Sequence, residues 1–207
     1  MGTEEVEDEG YDGAWEELLG VSSLQPEKRA TQRLLKEADA AYEEGRYMDA
    51  LRAAEKARER SQLIGDIGLQ VQAARKEAGA LSLLGHGDEA LKHWSWILAI
   101  AEDPTHRAAL ADEAVAFEVA GTFSQWVLSA LSVPSIQVDG LFQTLDAGDR
   151  FVRAIGKPQW RAALLLMRAR VLSNLGRAGE AIGFAEAGLA LALRARRSPN
   201  ATLGSHR

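Results

Sequence analysis

The chain has 207 residues, of which 46% are hydrophobic and 26% charged, with a net charge of −6 and no cysteine. That length accommodates one domain with a buried core, and the composition is that of an ordered globular protein. The lack of thiols excludes disulfides, cysteine nucleophiles and cysteine-ligated metals, the negative charge disfavours a dedicated nucleic-acid binder, and no apolar run reaches the roughly 18 residues of a membrane span.

The first 27 residues hold nine acids (Glu4, Glu5, Glu7, Asp8, Glu9, Asp12, Glu16, Glu17 and Glu27) and no Lys or Arg, leaving 21 acidic against 24 basic residues in the remainder. Inside this acidic arm, Trp15, Leu18 and Leu19 have i, i+3, i+4 spacing, so a short helix presents them together. The cluster reads as a docking motif for another protein, a lid over the chain's own basic positions, or an N-terminal cap on the first helix pair. The arm has neither the basic start nor the apolar stretch of a secretory signal, and a cytoplasmic location is expected.

From about residue 29 onward, apolar residues recur at helical spacing and strand signals are nearly absent. Leu34, Leu35, Ala38, Ala41 and Tyr42 trace one face before Gly45. Ala50, Leu51, Ala54 and Ala57 trace the next. Val71, Ala74, Ala78 and Leu81 follow up to Gly85-His86-Gly87, and then Ala90, Leu91, Trp94, Ile97, Leu98 and Ala101 up to Asp103-Pro104. Gly or Pro marks most of these boundaries, as helix ends require. Ser132-Val133-Pro134-Ser135 interrupts the helical pattern, and Leu141, Phe142, Leu145, Val152 and Ile155 predict a further helix ending near Gly156-Lys157-Pro158. The last segment leads into Arg194, Arg196, Arg197 and Arg207, with no acid after Glu186.

Three stretches share one design. Residues 41–51, 81–91 and 172–182 each place a Gly at a helix end, a turn position two residues later, and an acid ahead of Ala and an aliphatic residue. This pattern resembles the tetratricopeptide repeat, a helix–turn–helix unit. The matching residues are Ala38, Gly45, Tyr47 and Ala50 in the first unit, Ala78, Gly85, Gly87, Ala90 and Trp94 in the second, and Ala169, Gly176, Ala178 and Ala181 near the C-terminus. A weaker unit runs through Leu110, Ala114, Phe117, Gly121 and Phe123, but Trp126 stands where the family has Ala. Ala50 and Ala90 stand further apart than the roughly 34 residues of the common repeat, which is similar to the long-repeat class. The resemblance implies an all-α fold, a right-handed α-solenoid of antiparallel helix pairs with about three to four repeats, one of them irregular. The domain plan is then residues 1–28 as acidic arm or cap, 29–197 as the helical domain and 198–207 as a basic tail, with 122–157 as a split or shortened repeat.

No catalytic constellation is visible. There is no G-x-S-x-G elbow and no glycine-rich phosphate loop. His86, His93, His106 and His206 lack the spacing of a zinc site. Adjacent carboxylates such as Glu43-Glu44 and Asp88-Glu89 point about 100° apart on a helix and do not form an acid–base pair. A non-enzymatic protein without cofactor or metal is expected.

In the family the resemblance names, ligands bind along the first helices of the repeats. Carried onto this chain, that face comprises Gln32, Lys36 and Asp39, then Gln72, Arg75, Lys76 and Gly79, then Arg170, Ser173 and Asn174. The family's carboxylate clamp is not reproduced, because Asp39 and Gly79 stand where Asn is wanted. Lys36, Arg75, Lys76, Arg170 and Asn174 are nevertheless candidate contacts for an acidic peptide, and Trp96, pointing about 200° from Trp94 around the helix, is a candidate interface aromatic. Together with Trp15, Leu18 and Leu19 these form the candidate partner-binding set. The expected function is an adaptor or scaffold that binds a protein or peptide, with no nucleic acid or membrane partner, as a monomer or as a subunit of a hetero-complex. A ligand-responsive regulatory module and a structural subunit of a larger assembly are the alternatives.

Overall fold

The computed structural model describes residues 21–134 and 136–197, and the Trp15, Leu18 and Leu19 cluster and the basic tail lie outside the described residues. The described residues form nine α-helices: α1 (Val21–Glu43), α2 (Tyr47–Leu63), α3 (Ile67–Leu83), α4 (Gly87–Glu102), the short α5 (Arg107–Leu110), α6 (Glu113–Ala130), α7 (Val138–Ala154), α8 (Pro158–Asn174) and α9 (Ala178–Arg197). No helix among them is long and apolar enough to cross a membrane.

Five of the junctions are the same turn. Gly45, Gly65, Gly85, Gly156 and Gly176 all have φ between 67° and 85°, in the left-handed region that suits a residue without Cβ. In each, the Gly N–H donates to the carbonyl three residues back and the next N–H to the carbonyl five residues back, as in Arg46 N to Ala41 O at 2.8 Å and Arg177 N to Leu172 O at 2.9 Å. Such short joints turn each helix back along its predecessor. Gly45, Gly65 and Gly85 are evenly spaced, and Gly156 and Gly176 repeat the same interval.

The packing has two rows. Consecutive long helices touch along the chain, and α1–α3, α3–α6 and α6–α8 also touch, so α1, α3, α6 and α8 lie side by side. Helices α2, α4, α7 and α9 alternate with them and form the second row. One hydrophobic core runs from Ala41 in α1 through Val71, Trp94, Ile97, Val119, Phe123 and Leu145 to Val171 in α8. Its N-terminal half is rich in alanines, with Ala74, Ala78 and Ala90 fully buried, and Ala54 and Ala57 are fully buried in two smaller clusters beside it; these small side chains let the helix axes approach closely.

Two expectations are corrected. The region around Gly121 is not a repeat turning at that glycine. It is the middle of the unbroken helix α6, and Gly121 is buried against Trp160 of α8, with a Cβ position 3.0 Å from ring Cη2. Residues 122–157 are therefore not a shortened repeat: α6 and α7 are both full-length, and the pair is split by a longer joint at 131–137, with another long joint at 103–112 ahead of it. Asp103 and Asp112 cap the joint at 103–112. Asp103 accepts from Thr105 N at 2.8 Å, and Asp112 accepts from Ala114 N at 2.7 Å. Trp126, in place of a small residue, donates from Nε1 to Ser95 Oγ at 2.9 Å and so joins α6 to α4 through its edge. Helix α1 begins at Val21, ahead of the boundary that charge composition set at residue 29. Glu27 and Lys28 pair across to Arg60 and Asp66, each at 3.0 Å, and belong to the helical body.

Candidate ligand groove

Because α1, α3 and α6 are neighbours in one row, their facing side chains enclose a groove of about 700 Å³. The long-repeat spacing sets its lining. Gln32 and Gln72 are separated by the same interval as Ala50 and Ala90, and so are Lys36 and Lys76, so matching positions of α1 and α3 present the same chemistry. The floor is apolar and comes from Leu35, Ala38, Tyr42, Ala50 and Trp94. Glu118 and Gln125 of α6 form the far wall.

The groove's cations are not equivalent. Lys76 is paired with Asp39, and Arg75 with Glu118. Burial lowers the pKa of the Arg75 guanidinium, while the nearby Asp39 carboxylate acts in the opposite sense. Among the described residues Lys36 makes no ion pair, so it is the groove's available positive charge. Three amides, Gln32, Gln72 and Gln125, offer both donors and acceptors along the walls. The indole N–H of Trp94, a residue only 3% exposed, has no hydrogen-bond partner among the described residues.

All seven positions named on α1 and α3 line this one groove: Gln32, Lys36, Asp39, Gln72, Arg75, Lys76 and Gly79. Arg170 and Asn174 do not. They are exposed on α8, further along the row. Trp96 is 37% exposed on α4, a second-row helix, and is not part of the groove. The sequence reading missed Glu118 and Gln125. Treating 113–130 as one helix, instead of breaking it at Gly121, would have placed both on the third member of the row.

A second charged cluster lies beneath the surface. The Glu77 side chain of α3 is 1% exposed and sits between Arg58 Nε of α2 and His93 Nδ1 of α4, each at 2.9 Å. Both contacts are at ion-pair distance, though neither is aligned as a hydrogen bond. His93 is thus engaged between helices. At the other end of the molecule, Arg168 pairs with Asp146 and lies over the rings of Phe142 and Phe184, at 5.6 and 5.3 Å. Among the described residues no group of three or more His, Asp or Glu is placed to hold a metal ion.

No family model matches the chain, and no curated protein is significantly similar to it.

Proposed function

We propose that the chain is a cytoplasmic, non-enzymatic adaptor of tetratricopeptide type, a right-handed solenoid that holds a peptide segment of a partner protein in the α1–α3–α6 groove. The observation that supports this reading is the groove itself. An apolar floor ending at Trp94 lies under walls of Gln32, Gln72 and Gln125, with Lys36 as the available charge. That arrangement suits a peptide backbone, whose amides pair with glutamine side chains. One apolar side chain goes to the floor and one carboxylate to Lys36. The paired state of Arg75 and Lys76 narrows the demand for acidity from three cations to one.

Selection from a displayed random-peptide library on the full chain tests the proposal. Selected peptides are expected to carry an acid near an aliphatic or aromatic residue. Lys36→Glu is expected to weaken them at least about tenfold, since it turns an attraction into a repulsion. Gly79→Leu is expected to abolish binding without harming the fold: a Cβ at Gly79 meets Tyr42 only at ordinary contact distance, 3.6 Å, and the larger side chain fills the groove. Selection of no peptide, or of peptides that bind both variants like the parent chain, overturns the reading.

A further inference from the structure

The last described helix, α9, buries one side against α8 through Ala181, Phe184, Ala185 and Gly188. Among the described residues, a neighbouring stripe is uncovered. Ile182, Leu189 and Leu193 are 58%, 57% and 46% exposed, and Glu186 and Arg196 on the same stripe are exposed as well. At about 100° per residue these five positions fall within roughly 80° of one another around the helix.

The order of residues on the stripe says what covers it. Glu186, Leu189, Leu193 and Arg196 are separated by three, four and three positions. Over these four the spacing reads the same in both directions and the two ends carry opposite charge, while Ile182 lies outside the symmetric set. An antiparallel copy of the same helix therefore sets Leu189 over Leu193 and Leu193 over Leu189, with Glu186 facing Arg196 at both ends. A parallel copy sets Glu186 against Glu186 and Arg196 against Arg196, which is repulsive. We infer that α9 is the interface of a symmetric homodimer, in which two copies pair antiparallel through a four-leucine centre closed by two Glu186–Arg196 ion pairs. Such a contact is isologous, as a closed two-fold dimer requires. It departs from the monomer or hetero-complex subunit expected from sequence, and it is independent of the peptide groove.

Sedimentation equilibrium of the full chain over a range of concentrations tests this. The parent chain is expected to be a dimer, and Leu189→Glu is expected to be a monomer with an unchanged helical circular-dichroism spectrum, because Leu189 is exposed and contributes little to the fold. Register is read separately. Glu186→Arg alone is expected to raise the dimer dissociation constant about tenfold or more, and Glu186→Arg combined with Arg196→Glu to restore it. A parent chain that stays monomeric at the highest concentrations, a Leu189→Glu variant that still dimerises, or a double charge exchange that fails to rescue the single one overturns the inference. Monomers throughout would leave the stripe to a different protein.

Discussion

Gly148 of α7 faces the ring of Phe123 in α6 so closely that a Cβ at residue 148 would stand 2.9 Å from Phe123 Cγ and 3.1 Å from Leu164 Cδ2 of α8. The buried glycine is the point at which three helices of the C-terminal half meet. Gly148→Ala is therefore expected to force the Phe123 ring and the Leu164 methyl apart and to cost about 1–3 kcal/mol. Chemical denaturation of parent and variant checks it, and equal midpoints would show that α7 shifts freely.

Glu77 carries a different kind of risk. Its carboxylate is buried between Arg58 and His93 on the two flanking helices. Removing a partner from a buried ion costs more than removing the ion itself, because the remaining charge stays desolvated. Arg58→Met is expected to lose about 2–4 kcal/mol, whereas Glu77→Met, which leaves the 37%-exposed Arg58 side chain free to turn toward water, stays within about 1 kcal/mol of the parent. Urea unfolding of both variants gives the order. The reverse order would place the stabilisation in the carboxylate.

Asp149 predicts an acid dependence. It accepts from Arg153 Nε at 2.7 Å and from Arg161 Nε of α8 at 2.9 Å. Burial pushes its carboxyl up, but the hydrogen bonds and charges of the two guanidiniums outweigh that effect and the net shift is down. A folded pKa below the unfolded one contributes stability that is complete above the unfolded value, about 3.9, and is lost as pH falls through the folded value. The parent is expected to exceed Asp149→Asn by about 1–2 kcal/mol at neutral pH, with the gap closing below about pH 4. Unfolding free energies measured at a series of pH values check this. A gap that persists into strong acid would assign the difference to packing.

Glycine to alanine is expected to change sign with position. At Gly65, φ is 68°, and Ala there costs about 1 kcal/mol because its Cβ crowds the following carbonyl. At Gly140, in the first turn of α7, a Cβ meets nothing within 4 Å, and Ala gains about 0.5 kcal/mol of helix propensity. Melting temperatures of the two variants should move in opposite directions.

Most helices are legible in the sequence because their ends carry local signals. Gly45, Gly85 and Gly176 each stand where an apolar period stops, and a left-handed glycine is a property of a few adjacent residues. Gly121 carries the same letter with a different cause. It admits Trp160 of α8, a ring distant along the chain, and nothing near it in sequence distinguishes a turn from a close crossing. Gly65 carries the same local signal, a glycine followed by Asp66, which caps the next helix through Leu69 N, and the sequence reading passed over it. In the groove, the α1 and α3 positions follow from the repeat interval. The pairing of Lys76 with Asp39 and of Arg75 with Glu118 does not, since those partners are remote in sequence and depend on which helices are neighbours.

The identical glycine joints make the molecule modular in length. A helix and its short joint together fill the interval from one such glycine to the next, so a block of two intervals duplicated or deleted within the 45–85 stretch restores the same turn chemistry on either side of the change. Among the described residues, the joints at 103–112 and between α6 and α7 are the two built without a left-handed glycine. Growth of the chain by whole pairs would lengthen the row that carries the groove while leaving each existing crossing as it is, so the groove itself would lengthen in fixed steps.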